Sequence, residues 1–172
     1  EGVLRDYATF ASWELSRHSR QLLLDRMNHG IEAVRSARRR GGISLVAHGA
    51  SACSPGCTNG LDVQAAFHVR LPEREVTWSL APTPAMSAAV DRLIDEGLRN
   101  PEDFTCPAFS IASIEDRPTA IVWRPSLDRT NRATDVIGFF TSPAFVGQVF
   151  EKIVRHDALL PPSLIQPGRQ TN

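Results

Sequence analysis

The chain has 172 residues and no net formal charge, with 42% hydrophobic and 22% charged residues. These values are typical of one globular domain, and they give no overall attraction to nucleic acid or to a membrane surface. No apolar run approaches the roughly 20 residues that span a bilayer, and no signal peptide is recognisable. Three cysteines are present, and this low, odd number argues against a disulfide framework and favours a reducing, cytoplasmic compartment.

Residues 3–38 carry the apolar pattern of a helix. Apolar side chains recur every three or four positions in two runs, Leu4, Tyr7, Ala11 and Leu15 before a polar patch and Leu23, Met27, Ile31 and Val34 after it. The polar patch Ser16–Arg20 is either a break between two helices or one exposed turn of a single helix. The basic cluster Arg35–Arg40 suits a helix C-terminus, where the helix dipole favours cations, and Gly41-Gly42 is a natural stop. We therefore expect a long N-terminal helix.

The middle of the chain predicts a strand, a loop and a hairpin. Ile43–Ala47 is a short apolar run that is typical of a buried strand. Gly49–Gly60 is rich in Gly, Ser, Pro and Cys, so it predicts a loop. Leu61–Leu71 and Glu75–Leu80 predict two strands that a proline-containing turn at 72–74 joins into a hairpin.

The second half predicts a helix, three strands and a final helix. Thr83 is a good N-cap with Pro84 at the first helical position, and Gly97 with Asn100-Pro101 ends this helix. The predicted strands are Phe109–Ile114, Thr119–Trp123 and Asp135–Phe140. Ser142 caps the final helix, which runs to about His156.

Helices on both sides of the predicted strands indicate an α/β fold built in layers. The hairpin in the middle of the chain predicts that the sheet is mixed, with parallel and antiparallel neighbours. We expect residues 1–159 to form a single domain. Residues 160–172 are rich in Pro and Gln, which is typical of a tail or linker.

His48, Cys53 and Cys57 lie close together in the predicted loop. Thiolates and imidazoles bind zinc, so these three residues are the candidate metal ligands. A structural zinc site needs four ligands, however, and the remaining candidates are distant in sequence: Cys106, His68 and His29. An ordinary loop with ordinary thiols is therefore favoured over zinc. A redox pair or a nucleophilic Cys57 is a third alternative.

The sequence contains no phosphate loop, dinucleotide fingerprint, Gly-x-Ser-x-Gly elbow or His-Glu-x-x-His motif. Asp116 and Asp135 are candidate acids, but no base is visibly paired with either. We assign Asp116, Arg117, Trp123 and His68 to ligand binding, although a tight turn also selects residues such as Asp116 and tryptophan is more often a core residue. The sequence predicts no catalytic residue and no cofactor.

The segment Leu93–Leu164 has a recognisable order of elements. A helix ending in Gly (IDEG) precedes a strand, an acidic turn and a second strand (FSIASIEDRPTAIVWRP). A third strand (DVIGFF) and a final helix (SPAFVGQVFEKIVRHDALLP) follow. This order resembles the second half of a phospholipase D-like domain. It is most similar to the catalytically degenerate version that precedes a LuxR-type helix-turn-helix in actinobacterial transcription regulators.

Active phospholipase D enzymes carry the motif His-x-Lys-x-x-x-x-Asp on this first strand and turn. When the motif is aligned on Asp116, Phe109 takes the position of the His and Ile111 that of the Lys. In the enzymes the His attacks phosphorus and the Lys neutralises the phosphate charge. Phe and Ile can do neither, so the resemblance implies a domain without phosphodiesterase activity.

The resemblance implies a ligand-sensing or regulatory domain of a bacterial transcription regulator. Its partners would be an unidentified small molecule and a second copy, with a homodimer formed through the long N-terminal helix and no membrane involved. DNA would be contacted only through a domain outside this chain, to which the tail at 160–172 would lead. Two alternatives stay open: a small enzyme that uses the loop with His48 and Cys57, and a protein–protein adaptor.

Overall fold

The computed structural model describes residues 2–40, 62–100, 104 and 107–156. The chain divides into two compact units, one formed by the described residues before Asp25 and after Pro143, and the other by Asp25–Pro143. The strand predicted at 43–47, the loop at 49–60 and the tail at 160–172 lie outside the described residues. The single domain over 1–159 stays a prediction.

The described residues form three helices and five strands. The helices are α1 (Gly2–Arg40), α2 (Pro84–Arg99) and α3 (Ala144–His156). The strands are β1 (Val63–Arg70), β2 (Glu75–Trp78), β3 (Ala108–Ile114), β4 (Arg117–Leu127) and β5 (Ala133–Thr141). The predictions of an α/β fold and of a long N-terminal helix are confirmed.

α1 is one continuous helix of 39 residues, about 58 Å long at 1.5 Å per residue. The polar patch Ser16–Arg20 lies inside it and does not break it. Within this patch the Ser19 hydroxyl donates a hydrogen bond to the Leu15 carbonyl one turn earlier. Further along, a stripe of buried apolar side chains shows which side of the helix is covered: Met27, Ile31, Val34 and Ala37.

α2 begins as the sequence predicts. The Thr83 hydroxyl accepts a hydrogen bond from the Met86 N–H at 3.3 Å, and Pro84 occupies the first turn. The helix passes through Gly97 and ends at Arg99, with Asn100 as its C-cap. Gly97 is needed for packing, because a methyl group there would lie 2.3 Å from the Phe104 ring.

The five strands form one sheet in the order β2-β1-β5-β4-β3. All four neighbouring pairs are antiparallel, so the prediction of a mixed sheet is wrong for the described strands. The physical reason lies in the short connections from β1 to β2, β3 to β4 and β4 to β5, which can join only antiparallel neighbours. β5 lies beside β1, antiparallel to it, and occupies the centre of the sheet.

The turn between β3 and β4 consists of Glu115 and Asp116. Both residues have positive φ, 51° and 61°, which matches the type I′ turn of a two-residue hairpin. β4 runs to Leu127, beyond the predicted end at Trp123. Its last residues pair with β5 alone, since the pairing with β3 stops at Trp123.

Successive residues of each strand point to opposite sides of the sheet. The α2 face carries side chains that join the core cluster with α2: Ala65, Phe67, Val69, Ile121, Trp123, Val136 and Phe140. The His68 face carries the alternate residues: Ala66, His68, Val122, Asp135, Ile137 and Phe139.

An aromatic cluster holds the α2 face together. The ring centroids of Phe67, Trp78 and Phe140 lie 5.7–6.0 Å apart in tilted, edge-on and stacked arrangements. Gly138 lies beneath the Phe67 ring, and a methyl group at this position would meet that ring at 2.4 Å and the Val122 carbonyl oxygen at 2.6 Å. The missing side chain therefore lets Phe67 lie directly over β5.

Candidate functional site

A cleft of about 730 Å³ lies between α2 and the strands β3 and β4. Its floor includes Ile114, Ile121 and Trp123, and Leu93 of α2 lines it from above. This volume falls within the range of small-molecule sites in proteins, which are mostly apolar with a few well-placed polar groups. The cleft is the candidate ligand site.

Small side chains on α2 explain why the space is open. Ala85, Ala88 and Ala89 line the cleft on the helix side. A helix packed on a sheet normally fills the gap with large apolar side chains, as Val90 and Ile94 do on the buried side of α2. Where alanine replaces such residues, the helix and the sheet leave a groove between them.

Polar groups surround the apolar floor. Arg92, Glu96 and Asn100 follow one another at intervals of four residues, so they lie on one side of α2. Ser110 and Ser113 of β3 complete the lining. The cleft thus offers a cation, an anion, an amide and the Ser110 hydroxyl to a bound molecule, since Ser113 alternates with Ile114 and points to the His68 face.

The structure places the four predicted ligand-binding residues in three different regions. Trp123 lines the cleft, where it is half-buried. Asp116 and Arg117 are exposed at the β3–β4 turn, and neither lines the cleft. His68 points to the opposite face of the sheet, because it alternates with Phe67 along β1. Only Trp123 is therefore part of the candidate ligand site.

His68 is the centre of a polar cluster on its own face. Its side chain is buried, and its Nε2 lies 3.1 Å from Asp135 Oδ1. The same carboxylate accepts hydrogen bonds from the Ser126 hydroxyl at 3.3 Å and from the Thr134 hydroxyl at 3.2 Å. Arg38 of α1 approaches it at 3.7 Å. We infer that the buried stripe of α1 covers the His68 face, because Arg38 adjoins it.

The surroundings of His68 favour its neutral form. Burial lowers the pKa of the imidazole below its ordinary value of 6.5, and the positive charge of Arg38 lowers it further. The hydrogen bond to Asp135 and the charge of Asp135 oppose this shift. Because a carboxylate can only accept, the neutral imidazole donates its Nε2–H to Asp135.

The cluster lacks the arrangement of a nucleophile and a base. Ser126 bonds to Asp135 and not to His68, so its hydroxyl has no imidazole to activate it. The sequence showed no base paired with Asp135. In the structure its carboxylate accepts hydrogen bonds from His68, Ser126 and Thr134. Through Asp135, this cluster connects Arg38 of α1 with His68 of the sheet.

The predicted metal ligands His48, Cys53 and Cys57, and also Cys106, lie outside the described residues. Among residues 2–40, 62–100, 104 and 107–156, no group of three or more His, Cys, Asp or Glu side chains is arranged to hold a metal ion. His29 is exposed, and its Nδ1 lies 2.7 Å from the Asp25 carbonyl oxygen. Within the same ranges, no helix is both long and apolar enough to cross a membrane.

Sequence reasoning missed the α2 side of the cleft. Arg92, Glu96 and Asn100 are ordinary residues of an exposed helix surface when they are considered alone. The available signal was the group Ala85, Ala88 and Ala89 in a helix that also carries the large apolar residues Val90, Leu93 and Ile94. Comparison with known protein families gives no matching model, and comparison with curated proteins gives no match either.

Proposed function

We propose that this chain is a non-catalytic, ligand-sensing regulatory domain whose ligand binds in the cleft between α2 and the strands β3 and β4. The observation that carries the proposal is the cleft itself, with its volume of about 730 Å³ and its apolar floor at Ile121 and Trp123. Polar side chains are placed where they can orient a molecule lying on that floor.

The lining indicates the chemistry of the ligand. The Trp123 indole offers a flat apolar surface on which a ring can stack. Arg92 and Glu96 offer opposite charges at the helix side, so a ligand with both a donor and an acceptor group can be paired there. We therefore propose a small cyclic, mostly apolar molecule with one or two polar substituents.

The domain is proposed to be non-catalytic because of the residues at two positions of β3. Phe109 and Ile111 stand where the similar phospholipase D enzymes have His and Lys, and neither side chain can attack or neutralise a phosphate. His68 hydrogen-bonds Asp135 on the opposite face from the cleft, so it does not replace the missing histidine there.

The wider setting is proposed from the family resemblance. We place the domain in a cytoplasmic bacterial transcription regulator that acts as a homodimer, does not use a membrane, and contacts DNA only through a domain outside this chain. In this setting, occupancy of the cleft is the signal that the domain reports.

A fluorescent probe can test the cleft as a binding site. We expect 1-anilinonaphthalene-8-sulfonate, an apolar ring system with one anionic group, to bind saturably and to change the fluorescence of Trp123. Ala88→Phe should weaken this binding at least tenfold, because a phenyl ring at this exposed position on α2 fills the cleft. The measurement is a titration followed by fluorescence, repeated with Trp123→Phe to assign the signal.

Leu98→Phe is the matched control, since Leu98 is also exposed on α2 but does not line the cleft. It should bind the probe as the unaltered chain does. Equal binding by Ala88→Phe and Leu98→Phe would place the probe elsewhere and refute the cleft as the ligand site. Thermal unfolding of each variant checks that the fold is retained.

A further inference from the structure

Two charged side chains at the cleft are not used to hold the fold together. Arg92 and Glu96 both line the cleft, and both are exposed. Among the described residues, the ion pair of α2 joins Asp95 to Arg74 at 2.8 Å, and neither Arg92 nor Glu96 takes part in one. Their order along the helix is one reason, because a cation that precedes an anion by four residues pairs less favourably than the reverse. Both charges are therefore available to a bound molecule.

The spacing of these two charges sets the size of the molecule that can pair with both. Arg92 and Glu96 are one helical turn apart, so their Cβ atoms are separated by roughly 5–6 Å. One small molecule can reach both side chains if it carries an anion and a cation close together. A carboxylate accepts two hydrogen bonds from a guanidinium group, and an ammonium group donates to a carboxylate. The pair is thus complementary to a zwitterion.

The direction of α2 favours one orientation of that zwitterion. The helix ends at Arg99 with Asn100 as its C-cap, so Glu96 belongs to its last turn. The carbonyl groups at the C-terminal end of a helix carry partial negative charge, which stabilises a cation. The ammonium group of the ligand therefore belongs beside Glu96 and Asn100, and the carboxylate belongs one turn earlier, beside Arg92.

The sheet side of the cleft leaves room for a flat ring. Ser110 and Ala112 of β3 line it with small side chains, and Ser110 lies opposite Ile121 of β4. Trp123 lines the same side with an indole ring. Since the helix side carries alanines, small groups line both walls around this apolar floor. An aromatic ring can therefore lie on the floor and contact the Trp123 indole in a stacked or edge-on arrangement.

We propose that the ligand of the cleft is a free aromatic α-amino acid. Its ring lies on Ile121 and Trp123, its carboxylate pairs with Arg92, and its ammonium group pairs with Glu96. This assignment rests on the proposed function, because it names the ligand of the same cleft. An aromatic acid without an ammonium group would leave Glu96 facing a like charge, and an aromatic amine would leave Arg92 in the same position. The zwitterion offsets both charges.

Calorimetric titration of the full chain tests the ligand class. L-phenylalanine should bind with one molecule per chain, and Ala88→Phe should weaken this binding because its phenyl ring fills the cleft. 3-Phenylpropionate lacks the ammonium group and phenethylamine lacks the carboxylate. Each should bind about tenfold more weakly than L-phenylalanine, or weaker still, because one charge-assisted hydrogen bond is lost. L-alanine, which has no ring, should bind more weakly as well.

Two variants assign each charge of the ligand to a side chain. Arg92→Gln should make L-phenylalanine and phenethylamine bind alike, because the carboxylate has lost its partner. Glu96→Gln should make L-phenylalanine and 3-phenylpropionate bind alike, because the ammonium group has lost its partner. Arg99→Gln and Asp91→Asn are the matched controls, since both residues are exposed on α2 and neither lines the cleft. Both controls should keep the preference of the unaltered chain.

Competition with 1-anilinonaphthalene-8-sulfonate separates the ligand class from the cleft itself. If the cleft binds this probe but L-phenylalanine neither binds nor displaces it, the amino acid is the wrong ligand class and the cleft stays a binding site. Equal binding of L-phenylalanine by the unaltered chain, Arg92→Gln and Glu96→Gln would also overturn the assignment. So would an amine or an acid that binds as tightly as L-phenylalanine. A chain that binds neither probe would refute both the ligand class and the cleft.

Discussion

The two faces of the sheet are built from the same strands but stabilise the fold in different ways. Phe67 and His68 are neighbours in β1, yet Phe67 packs with other aromatic rings on the α2 face and His68 hydrogen-bonds Asp135 on the other. The α2 face combines aromatic packing with an open cleft, whereas the His68 face adds a buried polar contact to its own buried apolar side chains. Alternation along a strand can thus place a cleft and a buried polar contact on opposite sides of one sheet.

The largest effect is expected on the α2 face. Phe67→Ala removes the ring that lies between Trp78, Phe140 and Gly138, and it should lower the free energy of unfolding by about 3–5 kcal/mol. Urea unfolding followed by circular dichroism measures this loss. A loss below about 1 kcal/mol would show that the aromatic cluster does not dominate the stability of this face.

A smaller loss is expected when the acceptor on the His68 face is removed. Asp135→Ala leaves the buried His68 N–H and the Ser126 hydroxyl without this acceptor, so the free energy of unfolding should fall by about 1–3 kcal/mol.

Glu75→Ala is the control for that change. Glu75 also pairs across the sheet, with Arg70, but both side chains are 61% exposed. Removing an exposed ion pair should change the free energy of unfolding by about 0.5 kcal/mol or less. If the two variants lose equal stability, burial does not distinguish the His68 contact from a surface ion pair.

The smallest effect concerns pH. Because burial lowers the pKa of His68 in the folded chain, the unfolded chain binds more protons as the pH falls through 6.5. The stability that neutral His68 contributes is therefore fully present above pH 6.5. It decreases as the pH falls from 6.5 to the pKa of His68 in the folded chain. His68→Gln should remove the contribution, and urea unfolding between pH 5 and 8 measures it. A variant whose pH dependence equals that of the unaltered chain would contradict this assignment.

The predictable part of the fold was local. Apolar periodicity located α1, and the cap at Thr83 and Pro84 located the start of α2. Both signals depend only on residues that are close together in the sequence. The prediction of a mixed sheet failed because strand direction depends on which strands become neighbours. The pairing of β1 with β5 joins segments that are far apart in sequence.

The candidate sites were harder to predict for the same reason. His68 and Asp135 are 67 residues apart, and the sequence around either one contains no sign of the other. Trp123 was identified as a ligand-binding candidate, but the opposing wall of the cleft comes from α2. The shape of the cleft depends on how closely that helix approaches the sheet. The effect of the alanines at 85, 88 and 89 on this shape can be predicted only when the packing of the helix is known.

The close approach at Gly138 has a consequence for how this chain can change in evolution. A smaller residue at position 67 would clear only one of the two obstacles to a side chain at 138, because the Val122 carbonyl oxygen belongs to the backbone and would remain 2.6 Å away. A compensating substitution at position 67 therefore cannot make room for a side chain at position 138. Glycine at position 138 is thus required by the backbone of β4 as well as by the Phe67 ring.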